Sequence, residues 1–147
     1  MYLDKNVSQF EIDYRIEEHA ELLTPCLVYY KEGIERNFDA ILELAGNCER
    51  LWPHVKSHKS SEMVKYQMKR GVTKFKCATI MEARMLADLC AESILMAYPL
   101  VGPNQNRFLN LIESYPASSF WITGDHFESL YAFSEKAKSR GLIVNAL

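Results

Sequence analysis

Short apolar runs return along this chain at intervals of about two dozen residues, each followed by an amphipathic stretch and a glycine or charged turn. That rhythm is the strongest constraint on the fold. A chain alternating strand and helix in this way crosses from each strand to the next over a helix, which makes the strands parallel and the crossovers right-handed. Strands are expected at Cys26–Tyr30, Leu51–Lys56, Phe75–Ala78, Ile94–Ala97, Ser119–Thr123 and Leu142–Val144.

Helices are expected between them. The first covers Glu32–Gly46, with Ile34, Phe38, Ile41, Leu42 and Ala45 on one stripe. The second starts after a cap at Ser60 or Ser61 and runs through Arg70, stopping at Gly71. Thr79 and Glu82 have capping-box spacing for a third helix reaching about Cys90. Pro103 suits the first turn of a fourth helix ending near Tyr115, and Asp125 with Glu128 begins a fifth that ends near Arg140-Gly141.

This spacing suits both a (β/α)8 barrel and a doubly wound sheet. Two details favour the barrel. No glycine-rich phosphate loop follows the first strand, and several strands end in polar or reactive groups: Lys56, Thr79 and Thr123. The expected fold class is therefore α/β, a partial (β/α)8 TIM-type barrel of about five and a half βα units, truncated where a closed barrel needs eight strands. Residues 1–147 read as the N-terminal portion of a longer protein.

Composition excludes several classes. With 147 residues, 48% apolar content and a net charge of −2, the chain can build a core but carries no broad positive field for nucleic acid or an anionic membrane. No run approaches a membrane span, and the N-terminus, with Asp4, Lys5, Glu11 and Asp13, lacks the apolar core of a signal peptide. The cysteines Cys26, Cys48, Cys77 and Cys90 are scattered, and Cys26 and Cys77 fall in strand-like runs, as reduced buried thiols of a cytoplasmic protein would.

The chemistry concentrates between Leu51 and Lys59. If Leu51–Lys56 is extended, Leu51, Pro53 and Val55 share one face while Trp52, His54 and Lys56 share the other. A buried unpaired ammonium costs several kcal/mol, on the order found in proteins, so the polar end of such a strand should open into a site. A lysine held there loses proton affinity by desolvation and becomes an amine nucleophile toward a carbonyl. Two other readings stand beside this one. The His and Lys cluster can be a solvated basic loop. Alternatively His54 and His58 can share a metal on a helix face, although Pro53 opposes a helix there and no acid or cysteine lies near to complete a ligand set.

The order of several short segments resembles the D-threonine aldolase and D-serine dehydratase group of pyridoxal-phosphate enzymes, relatives of alanine racemase. The segments are Thr24-Pro25, Ile34-Glu35-Arg36-Asn37 and Pro53-His54-Val55-Lys56-Ser57-His58-Lys59, where the family usually has Thr at the Ser57 position. Phe75-Lys76-Cys77-Ala78-Thr79 with Glu82-Ala83 follows, then the run from Leu95 to Pro103. The resemblance extends from about Leu23 to Leu147. It implies an N-terminal barrel followed by a C-terminal β-domain, commonly in a homodimer.

The same resemblance implies that Lys56 is the Schiff-base lysine holding pyridoxal 5'-phosphate. His54 would point inward beside it and His58 would sit on the rim, each either supporting the cofactor or packing as an ordinary polar group. Lys59 is the competing lysine, expected to face solvent. Thr79 is expected first as a helix cap and second as a cofactor contact. Where many relatives have an aspartate at the end of the first strand, this chain has Tyr30. The phosphate cradle and the ligands of a divalent metal would lie beyond Leu147.

The implied activity, in the full-length protein, is that of a lyase on a small β-hydroxy-D-amino acid, yielding glycine and an aldehyde; residues 1–147 alone are expected to hold the cofactor weakly or not at all and to be inactive, because the phosphate cradle is missing. D-serine dehydration and amino-acid racemisation use the same lysine, and a non-catalytic pyridoxal-phosphate-binding protein is the alternative outside catalysis.

Overall fold

The computed structural model describes residues 13–17 and 19–147. Asp4, Lys5 and Glu11, which figured in the reading of the N-terminus, lie outside the described residues. The chain divides into two compact units, Met1–Leu44 and Ala45–Leu147.

In the first unit, Arg15 forks onto Asp13, and the Tyr30 hydroxyl donates to the Tyr14 carbonyl at 2.8 Å beneath an edge-to-face ring pair. Tyr30 is thus a local strut. Helix α1 runs Lys31–Ala45, nearly as expected, and buries Gly33 and Phe38 while Ile41 stays exposed. The strand expected at Cys26–Tyr30 does not form. Its residues are irregular, Cys26 is exposed, and Leu27 is 74% exposed. An apolar run becomes a strand only when a neighbour completes its ladder, and none pairs with this run among the described residues. The expected burial of the Cys26 thiol fails with it.

The second unit is a mixed α/β assembly around a four-stranded parallel sheet in the order β1-β2-β3-β4. The strands are β1 (Lys74–Cys77), β2 (Ser93–Met96), β3 (Ser119–Ile122) and β4 (Asn145–Ala146). Helices α2 (Ser61–Lys69), α3 (Ile80–Asp88), α4 (Pro103–Ser114) and α5 (Phe127–Ser139) alternate with them. Sequence order and sheet order coincide, as repeated βα units require.

Register explains the packing. Phe75 pairs with Ile94 and Ile94 with Phe120; Cys77 pairs with Met96 and Met96 with Ile122. In-register neighbours share a face, so these six side chains form two apolar rows, all of them buried. Helix α3 covers β1 and β2 there, and Phe108 of α4 meets Phe120 edge-to-face at 5.7 Å. Cys77 sits in this layer, its thiol pushed up to about 12 by burial and, secondarily, by the Glu82 charge. Lys74, Lys76, Ser93, Leu95, Ser119, Trp121 and Asn145 occupy the opposite face.

Helix ends follow local chemistry. Ser60 Oγ accepts from Met63 N and Thr79 Oγ1 from Glu82 N, as their caps predict. Helices α2 and α5 close in Schellman turns with Gly71 and Gly141 in the left-handed region. Helix α3 closes in the same way on Cys90, at φ +60, where a glycine is the usual residue.

Three boundaries depart from expectation. The cap of α5 is His126, whose Nδ1 accepts from Ser129 N, and not Asp125. The strand expected at Leu142–Val144 begins later, at Asn145, because the Leu142 amide is spent on the Ala137 carbonyl that closes α5. The strand expected at Leu51–Lys56 contracts to one parallel bridge between His54 and Lys76, with the Pro53 carbonyl accepting from Lys76 N at 2.8 Å. Pro53 has no N–H for a ladder, and a 3-10 turn over Val55–Ser57 begins at once.

Candidate active site

The parallel bridge at His54 fixes direction: whatever follows His54 emerges at the same end of the sheet as whatever follows Cys77. This is the C-terminal end of the strands, where side chains of open and closed parallel sheets do their chemistry. The turn Val55–Ser57 stands there. His54 caps it, its Nδ1 accepting from Lys56 N at 3.3 Å, and the Ser57 hydroxyl donates to the His54 carbonyl. Val55 is fully buried and anchors the turn from below.

Lys56 projects from this anchored turn and is exposed, which corrects the expectation of a desolvated strand residue. Among the described residues, neither hydrogen bond nor ion pair engages its ammonium. Lys59 differs sharply. Its amide donates to the Val55 carbonyl at 2.8 Å, its backbone is left-handed at φ +49, and its ammonium lies 3.5 Å from Glu82 Oε1. Lys59 faces solvent as expected, its side chain 64% exposed, and is also tied to Glu82.

Both histidines of the turn are held in the neutral range. Burial lowers the His54 imidazole, helped by the positive charges of Lys56 and Lys76 and opposed by Glu82 and by a backbone hydrogen bond with Lys76. Burial also lowers His58, with Glu82 opposing. Each Nδ1 is occupied by a backbone amide, from Lys56 in the first case and Ser60 in the second, so the neutral ring carries its proton on Nε2. For His58 that Nε2 is buried without a partner. With both Nδ1 atoms occupied in this way, and no group of three His, Cys, Asp or Glu side chains gathered among the described residues, the arrangement offers little to a shared metal.

Thr79 caps α3 through Oγ1. It reaches the turn indirectly, since Glu82, three residues on, accepts from Ala78 N at 2.8 Å and faces Lys59. The structure therefore groups His54, Lys56 and His58 on one turn and sets Thr79 beside them as a structural cap. Two further residues belong to this neighbourhood. Lys76 lies opposite His54 on the open face of β1, and Glu82 is a buried carboxylate amid basic groups. Alternation with Phe75 and Cys77 was the signal for Lys76. Glu82 had the signal of a cap alone.

Beyond the turn, cavities of about 490 and 210 Å³ open between the strand ends and helix starts of neighbouring units. The first is lined by Thr79, Tyr98 and Arg107 among others, the second by Thr123, Asp125 and His126 among others. A Cβ at Gly124, in the second wall, would meet Leu130 Cδ2 at 2.5 Å, so Leu130 would have to shift to admit a side chain there.

Among solved structures, the chain is similar to the crystal structure of D-threonine aldolase from Filomicrobium marinum, with a TM-score of 0.74 and 25% identity. The match covers 84% of this chain and 33% of the aldolase, so the chain spans about a third of the length of the protein it resembles. No protein-family model matches it, and no curated protein does. The likeness defines a class, a mixed α/β fold related to that of the aldolase. Among the described residues, no helix is long and apolar enough to cross a membrane.

Proposed function

We propose that this chain is the N-terminal part of a (β/α)8 barrel in a pyridoxal-phosphate-dependent lyase, acting on a β-hydroxy-D-amino acid as a D-threonine aldolase does. The structural likeness to D-threonine aldolase carries the reading. The parallel sheet with a helix after each of β1, β2 and β3 supports the barrel, and the open amine of Lys56 at the strands' C-terminal end supports the site.

The residues present fit the cofactor at its anchoring point. Lys56 offers an amine with no competing ion pair, on a turn held by a buried valine and a histidine cap. Lys59, the other candidate, is committed to Glu82. The Nε2–H of His58 is buried and without a partner. When bound, the cofactor supplies an electron sink for charge developing at the substrate's α-carbon.

The chain's own contribution is to hold the anchoring amine and to keep two neutral imidazoles beside it. His54 stays neutral because burial and two ammonium groups disfavour its cation. With its Nδ1 accepting from the Lys56 amide, neutral His54 presents an Nε2–H and acts on the turn as its cap.

The test is chemical. Full-length protein loaded with pyridoxal phosphate, treated with borohydride and digested, is expected to carry the pyridoxyl group on the peptide containing Lys56, and its Lys56→Ala variant to carry none. A label on Lys59, or none on the wild type, overturns the assignment. Incubation of the full-length protein with D-threonine is expected to release glycine and acetaldehyde, and residues 1–147 alone to release neither. Ammonia and a keto acid would move the reading to dehydration.

A further inference from the structure

Glutamates occupy the first turns of α2, α3 and α5. Glu62 and Glu128 have side chains 79% and 78% exposed, as a residue serving only its own helix end can be. Glu82 is 5% exposed, the one buried charged residue among the described residues. Its two oxygens divide their work: Oε2 takes the Ala78 amide at the end of β1, and Oε1 faces the Lys59 ammonium from the turn that follows His54. A cap needs the first contact and not the second.

The far end of that ion pair is itself unusual. Lys59 is a non-glycine residue at φ +49, a conformation that persists only where its surroundings impose it. Two restraints are visible there, the hydrogen bond that the Lys59 amide donates to the Val55 carbonyl and the Glu82 carboxylate. The His58 amide reaches the same carbonyl at 3.2 Å, so the turn closes on a single acceptor with Lys56 at its crest.

We propose that Glu82 is a positioning residue, holding Lys59 and through it the turn Val55–Lys59, so that the Lys56 amine keeps one direction. The tether stands on geometry alone, while its consequence for catalysis rests on the function proposed above. Capping α3 and aiming the lysine are then two roles of one carboxylate. The charge matters separately from the hydrogen bond, because a glutamine can still accept from Ala78 but cannot hold an ammonium by charge.

Amide hydrogen exchange on the full chain before cofactor is added separates the two roles. Glu82→Gln is expected to speed exchange at His58 and Lys59 by about fivefold, the scale of a partly exposed ion pair. Lys59→Met is expected to do the same, and the double variant to go no further. Lys59 is largely exposed, so its variant keeps the test available if Glu82→Gln folds poorly. If Glu82→Gln loosens only Ala78 and the first turn of α3 while Lys59→Met changes nothing, the tether is refuted and Glu82 is a cap. In the loaded full-length protein, Lys59→Met is expected to lower kcat several-fold with KM little changed; equal rates would refute the aiming role. Altered exchange in a protein that never takes a pyridoxyl label at Lys56 would retain the tether and remove the functional reading, so the two failures are distinguishable.

Discussion

The two faces of the sheet are built from the same strands and bear opposite chemistry. Phe75, Cys77, Ile94, Met96, Phe120 and Ile122 lie under the helices, all apolar and buried. One residue away along each strand stand Lys74, Lys76, Ser93, Leu95, Ser119, Trp121 and Asn145, mostly polar, with His54 bridged onto the row. Stability is concentrated on the first face and reactive groups on the second, so substitutions on the two should have separable effects.

The sharpest test of that separation is Phe75→Ala, which empties a fully buried position against α3. It is expected to cost about 3–5 kcal/mol in urea unfolding. A loss below about 1 kcal/mol would mean the helix-covered face does not carry the fold. On the opposite side, Lys56→Met is expected to abolish pyridoxyl labelling while moving stability by no more than about 0.5 kcal/mol.

Caps fall between these extremes. Thr79→Ala removes the acceptor for Glu82 N and is expected to cost about 1 kcal/mol. Cys90→Gly should instead stabilise by about 0.5 to 1 kcal/mol, because it relieves a left-handed non-glycine residue at the end of α3, partly offset by unfolded-chain entropy.

The smallest effect is a pH dependence. The folded imidazoles of His54 and His58 are lowered from the ordinary value of 6.5, chiefly by burial. As pH falls below that value the unfolded chain takes up protons first, so the stability from these neutral rings is present above it and declines as pH drops toward their folded values. The melting temperature is expected to fall over that window. Replacing both rings with glutamine should flatten the acid limb, and an unchanged limb would remove His54 and His58 as its source.

The helices were readable from sequence because their signals are local. Ser60, Thr79, Gly71 and Gly141 act on backbone groups within a few residues, and each does what its type predicts. The central strands were readable because apolar runs such as Ile94–Met96 have no other place to go. The failures share a physical cause. Cys26–Tyr30 and Leu51–Lys56 have the residues of strands, yet a strand is completed by a neighbour, and Pro53 removes a donor where the second ladder would have continued. Asp125 lost the cap to His126 because a ring nitrogen one residue on could accept the same kind of bond.

At the site, sequence singled out the turn and its lysine but placed Lys56 on a strand. What tells Lys56 from Lys59 in the structure is a carboxylate far along the chain. Only tertiary placement brings Glu82 beneath that turn.

The edge-to-face contact of Trp52 and Trp121, with ring centroids 5.9 Å apart, lies on the polar side of the sheet. These are the chain's two tryptophans. Ultraviolet emission excited at the indoles therefore originates from that side alone, and their mutual orientation should give a coupled dichroic band. The molecule thus carries its own optical reporter, one that would register a chromophore arriving beside the basic turn before any turnover could be measured.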